Sequence, residues 1–410
     1  MPARSHEIGA VGLASCDAAG RIAYQSDLVP LADGGLVREV TAGELIPAPP
    51  GILQMVLPGR APLTTIGPVA GRNALAVALP AGYTRLLLPA YAAKRGAPAL
   101  PLFGYTFACV IEDRLHVAAM RTDESEDWEP RKFAAGELES LIARRLERDP
   151  GNRVLRQVAL CSRDYGCFTA QNVFLERGEA ALPVSPKCNA RCVGCISEQE
   201  DDAGVPSPQS RIAEEAAARD LAATGIHHLN RVESGIVSFG QGCEGEPLLR
   251  SIAIASAITE IRRSRSNGTI NLNTNGSLPS ALLRCIDAGL DAVRISLNSF
   301  RPNVYAAYYR PQGYALDDVF ESIRLAVSRG LSVSLNLLTH PGVTDDEEEV
   351  AAMERLLSES RVRMVQTRTL NIDPAVYFEA VGRPRAPIGM REAVERIAAQ
   401  TRVGNFTHTH

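Results

Sequence analysis

The sequence predicts an α/β protein: a partial (β/α)6 barrel preceded by a smaller β-rich α+β domain. Three observations carry that expectation. Candidate strands and helices alternate through the second half of the chain. Those strands are polar along one face. The first half shows no such alternation and is punctuated by Pro and Gly, as in LIPAPPGILQMVLPGRAPL. At 410 residues the chain exceeds one ordinary core and suits two domains. The expected division is a β-rich N-terminal domain with a linker helix (residues 1–175), the barrel (176–385), and a C-terminal helix and tail (386–410).

In the first domain, Tyr105–Ile111 and Leu115–Met120 read as a hairpin turning at Glu112, Asp113 and Arg114. Helical periodicity begins at Phe133–Leu146, with Leu138, Leu141, Ile142 and Leu146 on one face. Asp149–Asn152 (DPGN) reads as a turn. The lone Trp128 reads as a domain-packing residue.

In the second half the candidate strands are Ala181–Ser185, Gly235–Gly240, Thr269–Thr274, Asp291–Asn298, Leu331–Leu338 and Arg363–Leu370. Ser207 with Pro208 reads as an N-cap and first-turn proline. Pro279 opens a helix that Gly289 closes, and Gly330 ends the helix carrying Val319, Phe320, Ile323 and Val327. Thr344 and Glu347 have the spacing of a capping box. Such alternation implies a parallel sheet with right-handed crossovers, either a partial barrel or an open doubly wound sheet.

The strand faces separate these two. Val293, Ile295 and Leu297 alternate with Arg294, Ser296 and Asn298; Val333, Leu335 and Leu337 alternate with Ser332, Ser334 and Asn336. Asn271, Asn273 and Asn275, then Gln366 and Arg368, extend the polar row. A closed barrel fills its interior with branched apolar side chains. A polar row instead implies a wet interior around a large ligand.

Composition bounds the function. A hydrophobic share of 45%, a charged share of 22% and a net charge of −4 suit a soluble globular protein and give no electrostatic case for nucleic-acid binding. The N-terminus lacks the apolar core of a signal peptide, and no stretch approaches the roughly 20 apolar residues of a membrane span, so a cytoplasmic location is expected. Six of the nine cysteines fall between Cys161 and Cys243, and none follows Cys285. Clustering of this kind suggests metal binding or redox chemistry rather than a disulfide framework.

Cys188, Cys192 and Cys195 lie directly after the first candidate barrel strand with the spacing C-x3-C-x2-C. Three thiolates on one loop can grip three corners of a cubane cluster and leave the fourth iron open, whereas such clusters usually take four cysteines. The competing reading is structural zinc, with Cys161 or Cys167 as a fourth ligand, but it leaves the later motifs unexplained.

Those later motifs are Ser238-Phe239-Gly240-Gln241-Gly242-Cys243-Glu244-Gly245-Glu246-Pro247, Thr274-Asn275-Gly276, and Arg294-Ile295-Ser296-Leu297-Asn298-Ser299. With the cysteine loop, and in this order, they resemble the radical S-adenosylmethionine (SAM) superfamily over roughly residues 181–374. The resemblance implies a 4Fe-4S cluster on Cys188, Cys192 and Cys195, with SAM chelating the fourth iron. It implies SAM contacts at Gly245, Glu246, Asn275, Ser296, Asn298 and Asn336. It also implies an electron donor such as flavodoxin or ferredoxin, and a 5′-deoxyadenosyl radical that abstracts hydrogen from a substrate the sequence does not specify. The family often carries an aromatic residue before the third cysteine; Gly194 stands here, so adenine must pack elsewhere. Arg310, Arg368 and Asn371 are candidate substrate contacts, and the roles of Cys161, Cys167 and Cys243 stay open. An alternative function is an activating enzyme that installs a glycyl radical on a partner protein.

Overall fold

The computed structural model describes residues 9–123, 133, 136–201, 203–264 and 267–405. Trp128 lies outside the described residues.

The N-terminal domain is built on an antiparallel sheet. Its strands run in the order Tyr83–Arg85, Arg114–Arg121, Thr106–Ile111, Gly12–Cys16, Asn73–Ala78 and Leu53–Leu57, with Ile22–Gln25 and Leu45–Pro47 branching from it. The expected hairpin is present, with Cys109 opposite His116 and Ile111 opposite Arg114. Its turn is two residues, not three: Glu112 and Asp113 take φ of 51° and 57°, the left-handed pair that matches strand twist, and Arg114 already belongs to the return strand.

The helix expected from Phe133 begins at Leu138 and runs to Arg148, burying Ile142. The DPGN turn then places Asn152 as the cap of Arg153–Asp164; its side chain accepts from the Leu155 amide at 3.1 Å.

The second domain is a sheet of seven parallel strands in chain order: Glu179–Leu182, Ile236–Phe239, Thr269–Thr274, Ala292–Leu297, Ser332–Thr339, Met364–Thr369 and Arg402–Gly404. Each strand pairs only with its sequence neighbours in the sheet, so the barrel is open between the first and the last. The alternation seen in the sequence is the division between its two surfaces. Val293, Ile295, Leu297, Val333, Leu335 and Leu337 are fully buried in the core beneath the outer helices. Asn273, Arg294, Ser296, Asn336, Gln366 and Arg368 line the interior.

Three local expectations are corrected. No helix opens at Ser207 and Pro208. The chain there is irregular, with Gln209 and Arg211 at the cavity wall, and the next helix is Ala218–Arg231. Its amides are engaged elsewhere: Gln209 N donates to Ile196 O, Ile212 N to Cys243 O and Ala216 N to Val184 O at 2.8–3.2 Å. The cap of Glu347–Glu359 is Asp346, not Thr344, whose hydroxyl instead accepts from the His340 amide at 2.9 Å. The barrel has a seventh strand where only a helix and tail were expected. The helices Pro279–Asp287 and Leu316–Ser328 end as expected before Gly289 and Gly330, both at positive φ.

The two domains are joined by polar groups that solvent does not reach. Arg60 and Asp373, both 4% exposed, form an ion pair at 2.8 Å. The same carboxylate accepts from the Leu100 amide at 2.9 Å and, through its other oxygen, from the Ala375 amide at 2.9 Å. Thr84 and Thr367 share a hydrogen bond, and Gly82 N donates to Asn405 Oδ1 at 3.1 Å. Asp373→Ala leaves the Arg60 charge buried without its counter-ion. It is expected to cost about 3–5 kcal/mol of stability in equilibrium denaturation, and a loss under about 1 kcal/mol would show that the pair is dispensable.

Candidate active site

The site is built on the C-terminal ends of the barrel strands, where three loops are held together by buried carboxylates. The first strand leads into the cysteine loop, the second into the Gly245–Glu246 loop, and the third into the Thr274–Gly276 turn. Gly245 N donates to Ser185 O at 2.8 Å and Glu246 N to Lys187 O at 2.9 Å, so the second loop lies directly on the first. A Cβ on Gly245 would stand 2.1 Å from Lys187 O, which is why glycine is required there.

Glu246 is 3% exposed. Its carboxylate accepts from Thr274 Oγ1 at 2.5 Å, Asn275 N at 2.8 Å and Leu248 N at 2.9 Å. Burial pushes its pKa up to about 7, against those three donors. Three donors leave one of its four acceptor directions for a ligand. Asn275 in turn donates through Nδ2 to Asn189 Oδ1 at 2.9 Å, and Asn189 donates to Ser277 Oγ at 2.9 Å. The Asn275 side chain therefore latches the turn to the cysteine loop.

Glu244 is the carboxylate that sequence reasoning missed. Fully inside, it accepts from the amides of Val184, Ser185 and Gln241, each at 2.7 Å. Burial drives its pKa to about 8. It braces the base of the cysteine loop against the second-strand loop. The only sequence signal was its place two residues before Glu246.

Cys188, Cys192 and Cys195 line one cavity of 740 Å3. Burial raises the Cys188 thiol to about 11, with Glu246 adding to the effect. Cys192 is raised well above the usual thiol range by burial, then by Cys195 and Cys188. Arg211, on the irregular segment before Ala218–Arg231, directs Nη2 at Cys195 Sγ at 3.4 Å and Nε at Ser197 Oγ at 3.2 Å. Among the described residues no three His, Cys, Asp or Glu side chains are gathered to hold a single metal ion. Three soft sulfur donors on one loop beside a cation fit a polynuclear iron–sulfur centre, whose irons take one thiolate each.

Gly245, Glu246, Asn275, Ser296 and Asn336 line the same cavity as the thiols. Asn336 Oδ1 is buried without a hydrogen-bond partner, as expected of a group that meets a ligand. Asn298 does not line this cavity, and its Oδ1 too is buried without a hydrogen-bond partner. It is wholly buried off the cavity wall, where Nδ2 donates to Tyr377 OH at 3.1 Å. The strand ends at Leu297, so alternation no longer directs its side chain inward.

The far wall carries Glu179, Asn273, Arg294, Gln366 and Arg368. Arg294 pairs with Glu179 at 2.6 Å and also donates to Asn273 Oδ1 at 3.2 Å. Arg368, whose side chain is exposed at the cavity wall, donates to Asn405 O at 2.5 Å. Arg310 lies instead on an outer cavity beside Glu200, and Asn371 lines neither. Tyr309 reaches the inner wall next to the cysteine loop.

Residues 182–353 match the family model of the radical SAM superfamily. A GTP 3′,8-cyclase of Heliobacterium modesticaldum is 33% identical over 43% of this chain and 50% of its own length. That of Pelotomaculum thermopropionicum is 30% identical over 45% of this chain and 54% of its own. The chain thus spans about half the length of these curated relatives. A radical SAM methyltransferase of Sphaerobacter thermophilus aligns over 55% of this chain and 64% of its own at 15% identity and a TM-score of 0.39, too remote to carry an argument. No helix among the described residues is long and apolar enough to cross a membrane. Residues 182–353 are thus similar to the radical SAM superfamily, whose enzymes use a 4Fe-4S cluster and SAM.

Proposed function

We propose that Cys188, Cys192 and Cys195 hold the cluster, that Gly245, Glu246, Ser296 and Asn336 hold SAM beside it, and that the substrate lies deeper, against Arg294 and Arg368. The observation that carries this reading is the shared cavity: the three thiols, the buried Glu246 carboxylate and the unpartnered Asn336 Oδ1 all face one space. What a bound cluster and SAM supply there is one-electron cleavage of the sulfonium, with hydrogen abstraction from the substrate by the 5′-deoxyadenosyl radical.

The chain's own residues then have distinct tasks. Glu246 accepts from an ammonium, for which a carboxylate is the natural partner. Asn336 offers its amide oxygen to a hydroxyl or amine. Tyr309 supplies the aromatic wall that Gly194 does not. Gln209 and Arg211, from the irregular segment 206–217, add to the wall beside the thiols. An electron donor such as flavodoxin or ferredoxin would reduce the cluster.

GTP is the first substrate to test, because the similar curated proteins are GTP 3′,8-cyclases. On the far wall Arg294 is neutralised by Glu179, whereas Arg368 faces the cavity with only a backbone carbonyl as its bonded partner; Arg368 is therefore the group for an anionic oxygen of the substrate. Anaerobic incubation of the reduced protein with SAM and GTP should raise 5′-deoxyadenosine formation about tenfold over SAM alone. Equal rates with and without GTP would remove GTP and leave the radical SAM chemistry standing.

Cys192→Ala is expected to abolish both iron binding and SAM cleavage; iron content at the wild-type level would overturn the ligand assignment. Gly245→Ala, which drives a methyl group into the Lys187 carbonyl, should likewise fail to retain iron although no ligand is changed. Glu246→Gln should keep its iron and lose about 10- to 100-fold in SAM affinity, the worth of a charged hydrogen bond. Unchanged SAM affinity in calorimetry would take Glu246 out of the binding site.

A further inference from the structure

The thiols of the cysteine loop do not share one environment. Cys195 Sγ is met by two side chains, Arg211 Nη2 at 3.4 Å and Ser197 Oγ at 3.7 Å. Among the described residues no side chain donates to Cys188 Sγ or Cys192 Sγ. Ser197 Oγ also accepts from Arg211 Nε at 3.2 Å, and Glu198 pairs with Arg211 Nη1. Each nitrogen of the guanidinium therefore has a partner, and one of those partners is the thiol. The neighbouring backbone is fixed as well. Gln209 N donates to Ile196 O at 3.2 Å and Ile212 N to Cys243 O at 2.8 Å. Gln199 Nε2 donates to Cys195 O at 2.6 Å and closes the turn after the third cysteine.

Exposure decides how much of that charge the sulfur feels. The Arg211 side chain is 11% exposed and lines both the inner and the outer cavity, whereas Glu198 is 64% exposed. Solvent screens the carboxylate far more than the guanidinium. The ion pair therefore leaves a net positive field at Cys195. The other arginines of the inner wall, Arg294 and Arg368, are bonded to Glu179 and to Asn405 instead. Hydrogen bonds to a ligating sulfur, nearby charge and solvent access are the means by which a protein sets an iron–sulfur potential.

We propose that Arg211, acting through Cys195, raises the reduction potential of the iron–sulfur centre and that Glu198 moderates the effect. The proposal rests on Cys195 being a cluster ligand. Reduction by a one-electron donor adds one negative charge to the centre and its thiolates. A cation held beside a ligating sulfur stabilises that added charge, so the reduced form is favoured and a less strongly reducing donor suffices. Arg211 is thus a positioning residue, since it acts on the centre through the sulfur of Cys195.

The test uses the full chain, loaded with its cluster anaerobically and without SAM, poised against low-potential mediators and read by the EPR signal of the reduced centre. Arg211→Gln removes the cation and should disfavour reduction about tenfold, a potential lower by about 59 mV for one electron. Glu198→Gln keeps an acceptor for Nη1 but unmasks the cation, and should favour reduction about threefold, the smaller effect of a solvent-screened charge. A merely structural role would not give opposite signs, because loosening Arg211 moves both variants the same way. A potential that stays or rises in Arg211→Gln, or that stays or falls in Glu198→Gln, would overturn the proposal. Where Arg211→Gln retains no iron, the sign of the Glu198→Gln shift decides. Iron content reads the cluster assignment separately: wild-type protein that binds no iron removes that assignment and the proposal with it, whereas unshifted potentials at full iron content remove the proposal alone.

Discussion

The docking of the Gly245–Glu246 loop onto the cysteine loop is the constraint on which the site depends. Two backbone hydrogen bonds, Gly245 N to Ser185 O and Glu246 N to Lys187 O, bring the chains so close that no side chain fits at Gly245. Buried carboxylates flank this contact. Glu244 ties the loop downward to the end of the first strand, and Glu246 ties it sideways to the third-strand turn. Each carboxylate is costly to bury and is tolerated because three donors converge on it. Three strand ends thus become one rigid frame, and the thiols are set by that frame rather than by the flexibility of their own loop.

The interior of the barrel follows from the same economy of polar groups. A parallel sheet covered by helices normally buries both faces in apolar side chains. Here Glu179, Arg294, Asn273, Ser238 and Asn271 form a connected polar network at the inner face, with Asn271 Nδ2 donating to Ser238 Oγ at 3.0 Å. Such a network keeps the interior wet and open toward the thiols. The seventh strand and the N-terminal domain close its side. Thr84 meets Thr367, Gly82 meets Asn405, and Ala81 reaches the cavity wall.

Much of this was legible in the sequence because it rests on period and punctuation. Alternation along Ala292–Leu297 and Ser332–Thr339 reports which side chains face inward for as long as the strand lasts. Asn298 lies one residue beyond, and there the pattern has no authority. The strand Arg402–Gly404 is too short for a period of two to register. Ser207 and Pro208 have the right residues for a helix start, yet long-range partners on Ile196, Cys243 and Val184 take the amides that a helix would need. Glu244 and Arg211 act through contacts distant in sequence, with backbone amides of the first-strand end and with Cys195. No local rule marks such residues.

The glycine before the third cysteine has a structural cause rather than being a missing aromatic. A Cβ at Gly194 would stand 3.1 Å from Tyr308 OH and 3.4 Å from Asn371 O, so the position is already filled from outside the loop. The helix Pro302–Tyr309 provides that filling, and its end is stitched to the loop: Arg191 N donates to Tyr309 O and Val193 N to Tyr308 O, each at 3.0 Å. Tyr308 packs edge-on against Tyr309 and Tyr377, and Tyr309 stacks on Tyr305 with ring centroids 4.5 Å apart. The aromatic surface beside the cysteine loop is therefore supplied by the helix after the fourth strand rather than by the loop. Because that helix also fixes two amides of the cysteine loop, the wall of the cavity and the spacing of the thiols are set by one packed element.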